Sequence, residues 1–232
     1  MKSFLNKKSF LLIISIGFVF LNFKFVLAQT NYQFLTSWKA DGFVPTWYQG
    51  KILPTRGSRV SVSFELINKG KISDLSNTVV RWYINDNLVK NENNGLGIKN
   101  YSFTVTDYPG NNAEIRIAMP DYNGQPLNKI IQIPVNSPEV IVESPAFSLN
   151  NISKTAIFKA NPFFFNVKTM KNLSFQWTAN GQSTGNYAGS NILNFNVDPA
   201  IDPNTEISLS VVVKNLLNEM EFASKEINFK LK

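Results

Sequence analysis

A short sequence pattern typical of the core of a β domain occurs twice in this chain, and this repeat constrains the fold more than any other feature. Trp82-Tyr83-Ile84-Asn85 recurs as Trp177-Thr178-Ala179-Asn180, and Phe103-Thr104-Val105 recurs as Phe195-Asn196-Val197. The offset is 95 residues at the tryptophans and 92 at the phenylalanines. Two copies of one domain diverge in this way, by changing loop length while the alternating core is kept. We therefore predict two tandem copies of a β domain.

A third match continues the repeat into the next strand. Residues 112–119 align with residues 204–211 at the offset of 92, which sets Ile117 against Leu209. Elsewhere, short runs of alternating apolar and polar residues are separated by turn-forming residues, a pattern typical of strands. The predicted strands are 34–39, 59–67, 78–84, 100–105, 113–119, 129–135, 139–143, 155–160, 173–179, 191–197, 206–214 and 221–231.

The first 28 residues have the composition of a secretory signal peptide. A lysine-rich start precedes an apolar run at 10–20, and Val26-Leu27-Ala28 places small residues where a signal peptidase cuts. We predict cleavage between Ala28 and Gln29. The alternative is an uncleaved membrane anchor, but Asn22 and Lys24 interrupt the apolar stretch, which falls short of the ~20 residues that span a bilayer.

The chain contains neither cysteine nor histidine. Without cysteine, each domain of an exported protein must be held by packing alone. Without histidine, the chain lacks the usual general base, the serine and cysteine triads and the common zinc ligand. Four of the 23 basic residues lie in the leader, and the remaining 19 stand scattered against 16 acidic ones. We expect a non-enzymatic protein with no cofactor and no nucleic-acid partner.

The mature length suits two domains of the ~100 residues that an immunoglobulin-like sandwich needs. We predict a signal peptide at 1–28, a first sandwich at 29–136 and a second sandwich at 137–232. The boundary falls at Asn136-Ser137-Pro138, where a terminal strand of the first domain passes almost directly into the second. So short a joint predicts a fixed arrangement rather than a flexible tether.

A tryptophan strand followed by an Asn-Gly or Asn-Asp turn and a Phe-x-Val strand resembles bacterial Ig-like and PKD-like domains of surface proteins. Residues 175–182 and 81–87 carry this resemblance, which covers both repeats. It implies an all-β fold of two tandem immunoglobulin-like β-sandwiches and a secreted or cell-surface location. The antibody disulfide and a tyrosine corner are missing, so receptor functions do not carry over.

Four aromatic residues are predicted to form the structural core of the two copies. Trp82 and Trp177 stand at matched places inside predicted strands. This favours a buried core position between two sheets over a role in stacking on a sugar. Phe103 and Phe195 follow in the next predicted strand of each copy.

Two aromatic segments are candidate binding surfaces. Phe163, Phe164 and Phe165 stand in a predicted connection, and three consecutive rings cannot all enter one sandwich core. They either pack against the neighbouring domain, which we favour, or meet a partner protein. Trp47 and Tyr48 lie in an aromatic loop near the mature start, where they either bind a partner or sugar, or cover the open end of the first sandwich.

One acidic segment raises the possibility of a calcium site. Residues 198–206 hold three acids, which are fewer than the six to eight oxygen ligands that calcium takes, and two prolines indicate turns. We therefore predict no metal site.

These features favour a structural or adhesive module of a cell-surface or envelope assembly. No segment after the leader is predicted to span a membrane. The expected partners are envelope or surface proteins, and the alternative is that the chain binds a glycan. That alternative is a carbohydrate-binding accessory module using Trp47 and Tyr48, with Trp38 in support. A third hypothesis, an envelope hydrolase, lacks a visible catalytic motif.

Overall fold

The computed structural model describes residues 32–144, 151–152, 155–188 and 190–231. These residues form sixteen strands in four sheets, and no α-helix occurs among them. The all-β fold class is thereby confirmed. The predicted leader and its cleavage site lie outside the described residues.

The first eight strands lie in residues 32–134 and form two sheets. Their bounds are β1 Tyr32–Ala40, β2 Arg59–Asn68, β3 Lys71–Ile72, β4 Arg81–Ile84, β5 Asn87–Lys90, β6 Asn100–Thr104, β7 Asn112–Tyr122 and β8 Gln125–Pro134. One sheet has the order β1-β2-β3, with β6 also paired to β2, and the other has the order β5-β4-β7-β8.

The remaining strands form two further sheets. Their bounds are β9 Glu139–Glu143, β10 Asn151–Ile152, β11 Thr155–Phe163, β12 Leu173–Ala179, β13 Gln182–Ala188, β14 Ile192–Asn196, β15 Glu206–Asn215 and β16 Asn218–Leu231. One sheet has the order β14-β11-β9 and the other the order β10-β16-β15-β12-β13, in which β10 runs parallel to β16.

Aromatic rings join the inner faces of each pair of sheets. In the first pair, the Phe64 ring on β2 lies 5.8 Å from the Trp82 ring on β4. In the second pair, the Phe158 ring on β11 stacks on the Phe229 ring of β16 at 5.4 Å. Two antiparallel sheets packed over a shared apolar core make a β-sandwich. The chain therefore folds as two tandem Ig-like sandwiches.

The sequence repeat corresponds to a repeated hairpin turn. Asn85 and Asn180 both have positive φ (46° and 48°), and each begins a two-residue turn. The Asn85 side chain accepts a hydrogen bond from the Glu114 amide at 2.9 Å, and the Asn180 side chain accepts one from the Ser208 amide at 2.9 Å. Asparagine recurs because it tolerates left-handed backbone while its amide oxygen caps the neighbouring strand.

This pairing corrects the alignment of the third match. Glu114 corresponds to Ser208, so the offset in this strand is 94 residues rather than 92. The register agrees, because Trp82 lies opposite Ile117 whereas Trp177 lies opposite Val211. A shift of two residues leaves every side chain on the same face, so alternation alone could not distinguish the two alignments.

Four strands that the sequence did not predict are short or peripheral. They are β3, β5, β10 and β13, and they lack a run of alternating apolar residues. An edge strand pairs through its backbone along one side and needs little apolar surface, so periodicity gives no signal for it. The predicted connection at Phe163, Phe164 and Phe165 is corrected for its first residue, because Phe163 belongs to β11 and pairs with Glu139, whereas Phe164 and Phe165 follow the strand.

Most of both sandwiches belongs to one compact unit, which comprises Phe34–Glu65 and Asp74–Lys232. Residues Leu66–Ser73, at the end of β2 and in β3, fall outside that unit. The domain boundary between residues 136 and 137 stays a prediction.

Candidate functional site

The two repeated tryptophans are buried in the sandwiches. Trp82 and Trp177 have no exposed surface, whereas Phe103 and Phe195 are only partly buried. The Trp82 indole donates a hydrogen bond to the Ile98 carbonyl at 2.8 Å, whereas the Trp177 indole nitrogen has no partner among the described residues. Neither indole is available to stack on a sugar.

The three consecutive phenylalanines are also buried. Phe163, Phe164 and Phe165 are exposed by 4%, 6% and 0%. Phe165 belongs to the core of the second sandwich, while the Phe163 ring meets the rings of Trp47 and Tyr48 edge-on at 5.7 and 5.5 Å. These contacts correct the prediction that the three rings form a binding surface, because other parts of the chain cover them.

The aromatic segment contains a residue with a strained backbone, which two hydrogen bonds hold in place. Phe164 has a φ of 64°, a left-handed conformation that is rare for a bulky side chain and costs about 1–3 kcal/mol. Its amide donates to the Phe43 carbonyl and the Phe43 amide donates to the Phe165 carbonyl, each at 2.7 Å. This two-bond bridge holds the strained backbone in place.

Residues 43–51, which we call the aromatic loop, present one large exposed ring. The Tyr48 amide donates to the Pro45 carbonyl and its hydroxyl donates to the Lys51 carbonyl at 3.0 Å, which fixes the turn. A Cβ at Gly50 would collide with the Tyr48 hydroxyl and ring, so a larger residue there would displace the Tyr48 side chain. Trp47 is 51% exposed and rests edge-on against Phe163, so its ring is both accessible and positioned.

Trp38 is less available than Trp47. The Lys51 ammonium lies 3.3 Å from the centroid of the Trp38 ring, a cation–π contact that occupies one face of the indole. Partial burial lowers the pKa of Lys51 from its usual value. The structure therefore separates Trp47 from Trp38 as a surface for stacking.

Five polar side chains, which we call the joint cluster, connect the turn before β2 with the end of the second sandwich. Glu221 is only 6% exposed, and its Oε1 accepts from the Thr55 hydroxyl at 3.2 Å and from the Asn166 amide groups at 2.8 and 2.9 Å. Asn215 donates to Oε2, and the Ser58 hydroxyl donates to Asn166 Oδ1 at 2.6 Å. Four donors thus satisfy the buried carboxylate, as burial requires.

A bulge in β16 brings Glu221 into this cluster. Lys214 pairs with Phe222 while Asn215 pairs with Asn218, so three residues of β16 have no partner on β15. Such extra residues re-aim side chains. Sequence reasoning missed the cluster, although Glu221 carried a signal as a charged residue at an inward position of the predicted strand 221–231.

Two clefts border the turn from Thr55 to Ser58. The larger, which we call the Arg56 cleft, has a volume of about 610 Å³ and is lined by Arg56, Thr106, Tyr108, Asn136, Met220 and Glu221, among others. The smaller has a volume of about 540 Å³, and the charged groups Asp41, Arg59 and Lys168 line it. Neither cleft was expected from the sequence.

The described residues contain no cluster of three or more acidic side chains that could hold a metal ion. In the segment 198–206, Asp198 caps a turn by accepting from the Ala200 amide at 2.9 Å, and the Asp202 carbonyl accepts from Thr205. Nor do the described residues include a helix with the length and hydrophobicity of a membrane-spanning segment.

No protein-family model and no curated protein sequence matches the chain. Solved structures similar to it include the fibronectin(III)-like modules of Clostridium thermocellum CbhA, at 11% identity over 85% of this chain and 93% of that one, with a TM-score of 0.30. Three N-terminal domains of the bacteriophage RB49 outer capsid protein Hoc match at 11% identity over 86% of this chain and 59% of that one (TM-score 0.42). The Yersinia pseudotuberculosis adhesin InvE matches at 10% identity over 85% of this chain and 58% of that one (TM-score 0.26).

Proposed function

We propose that this chain is an exported, non-enzymatic protein that acts as a structural or adhesive module in a cell-surface or envelope assembly. The observation that carries the proposal is the tied joint between the two sets of strands. Only four residues separate Pro134 of β8 from Glu139 of β9, and the Asn136 amide donates to the Pro54 carbonyl at 2.9 Å. The Phe43–Phe165 bridge and the joint cluster add further contacts.

A tied joint suits a module that holds other proteins in place. Hinge motion here would break the hydrogen bonds of a buried carboxylate, and each donor left unpaired costs about 1–3 kcal/mol. A surface that is already ordered loses little conformational freedom when it binds, so more of the contact energy appears as affinity.

Cross-linking in the native cells, followed by identification of the attached proteins, tests the proposal. We expect the protein to be outside the cytoplasm with Gln29 as its N-terminal residue, and to be linked to envelope or surface proteins. Recovery from the cytoplasm, or turnover of a cell-wall substrate by the purified chain, would contradict it. A Glu221→Ala variant tests the role of the joint, because loosening the joint should reduce the yield of cross-linked partners.

The exposed ring of Trp47 supports a second candidate, a glycan-binding accessory module. An indole held edge-on by Phe163 and half open to solvent is suited to stacking on a sugar ring. A glycan array probed with the mature chain tests this, with Trp47→Ala expected to abolish any signal. Trp38→Ala is the matched control, since Lys51 already covers one face of that ring. A signal unaffected by Trp47→Ala would remove this candidate.

A further inference from the structure

The Arg56 cleft combines three residue types that are enriched in protein interfaces. Its rim carries Arg56 together with Tyr108 and Met220, which are 62% and 86% exposed. Arginine, tyrosine and methionine are all over-represented at interfaces relative to the rest of a protein surface. A volume of about 610 Å³ is in the range that accommodates a small ligand or a few side chains of a peptide.

The backbone that carries Arg56 is held from several sides. The Gly57 amide donates to the Val105 carbonyl at 2.8 Å, and the Val105 amide donates to the Ser58 carbonyl at 2.9 Å. From the second sandwich, Asn166 donates to the Arg56 carbonyl at 3.0 Å. The joint cluster thus fixes the turn on which the guanidinium is presented.

The guanidinium itself is positioned without being neutralised. Its central carbon lies 4.1 Å from the centroid of the Tyr108 ring, and no carboxylate pairs with it in the described part of the chain. A contact with an aromatic face leaves the in-plane N–H groups of arginine available for other acceptors. These N–H groups form a fork that matches a carboxylate.

Among the described residues, Glu221 is the one other charged side chain that lines the cleft, and it does not occupy this fork. Both carboxylate oxygens of Glu221 already accept hydrogen bonds from Thr55, Asn166 and Asn215. The accessible charge at the cleft is therefore positive, and the complementary group is an anion. The exposed thioether of Met220 adds an adaptable apolar contact, which is suited to an aliphatic side chain.

We propose that the Arg56 cleft binds a short acidic peptide segment of a partner protein, in which a carboxylate meets Arg56 and an adjacent aliphatic side chain meets Met220. This inference rests on the proposed function as a binding module and names the chemistry of its partner.

Selection of phage-displayed hexapeptides on the mature chain tests the inference. We expect enriched sequences in which an acidic residue neighbours an aliphatic one. A synthetic peptide of the enriched sequence should bind, as followed by fluorescence polarisation, and Arg56→Gln should weaken the binding at least about tenfold because it removes a charge-assisted hydrogen-bonded pair.

Arg116→Gln is the matched control. Its guanidinium carbon also lies over a tyrosine ring, 3.7 Å from the Tyr83 centroid, but Arg116 does not line the cleft. We expect unchanged peptide binding in this variant. Both variants are checked by thermal unfolding, so that a folding defect is not mistaken for lost binding.

Three results of the peptide experiments would overturn the inference: no enriched peptide, enriched peptides without acids, or equal peptide binding by the Arg56→Gln variant. Stronger Arg56-dependent binding of oligogalacturonate than of any selected peptide would also overturn it, by assigning the cleft to an acidic glycan. Because the selection uses purified protein, its failure leaves the cell-surface cross-linking result standing, and the two proposals fail separately.

Discussion

Replacing each buried tryptophan by phenylalanine should have unequal effects on the two sandwiches. Both changes remove the same atoms from a fully buried site, so the cavity cost is similar at the two positions. The hydrogen bonding differs. Trp82→Phe leaves the Ile98 carbonyl without its donor, which costs about 1–3 kcal/mol, whereas Trp177→Phe removes an indole N–H that has no partner among the described residues.

The difference can be estimated from these two terms. The loss at Trp82 adds about 1–3 kcal/mol to the cavity cost, and removal of the unpaired donor at Trp177 recovers about 1–3 kcal/mol of desolvation cost. We therefore expect Trp82→Phe to be more destabilising by about 2 kcal/mol or more. For a chain of this size, that difference corresponds to roughly 4–8 °C in melting temperature.

Urea and thermal unfolding followed by far-ultraviolet circular dichroism measure the effect without relying on tryptophan fluorescence. Trp47→Phe is the control, because that ring is half exposed and should shift the midpoint little. Equal destabilisation by the two core substitutions, or a larger effect of Trp177→Phe, would refute the reasoning from hydrogen bonding. Truncation of either residue to alanine should cost about 3–5 kcal/mol.

Three further predictions concern the joint, a turn and an ion pair. Glu221→Ala should lower the free energy of unfolding, measured in urea, by about 3 kcal/mol or more, because several buried donors lose their acceptor. Glu221→Gln should cost less, since it keeps one acceptor oxygen. Equal losses of stability in the two variants would contradict this. Gly57→Ala should cost about 1 kcal/mol or more in the same assay because φ is 95° at this position, and an unchanged midpoint would count against it. The hydrogen bond from Arg81 lowers the pKa of Glu92 from 4.5 to about 2. This contact should therefore stabilise the fold above pH 4.5, and the stabilisation should be lost as the pH falls towards 2. An NMR titration of the Arg81→Gln variant in which the pKa of Glu92 stayed near 2 would exclude this cause.

The stronger strands were predictable, and two of them were placed to the residue. Residues 139–143 and 173–179 match β9 and β12, because their alternation is uninterrupted and turn residues flank them. The strands β5 and β13 were missed because they pair with β4 and β12 through the backbone and carry no run of alternating apolar residues. The local sequence does not indicate which neighbouring strand a segment will pair with.

The candidate site could be predicted only in part. The aromatic loop was found because Trp47 and Tyr48 stand out in a short segment, but their exposure depends on Phe163, more than a hundred residues away. The joint cluster and the Arg56 cleft were not predicted. Their members are spread from Thr55 to Glu221 with no motif in common, and their proximity arises from the fold.

The sequence by itself determined the β class, the repeated sandwich and the buried place of its tryptophans, because alternation with period two and turn chemistry act over a few residues. Tertiary structure alone decided the two-residue shift within the repeat, the burial of Phe163, Phe164 and Phe165, and the placement of the Arg56 guanidinium over Tyr108 with no carboxylate partner among the described residues. These depend on which distant groups meet across sheets and at the joint. A side chain's burial and its hydrogen-bond partners are set by such contacts, which no local pattern records.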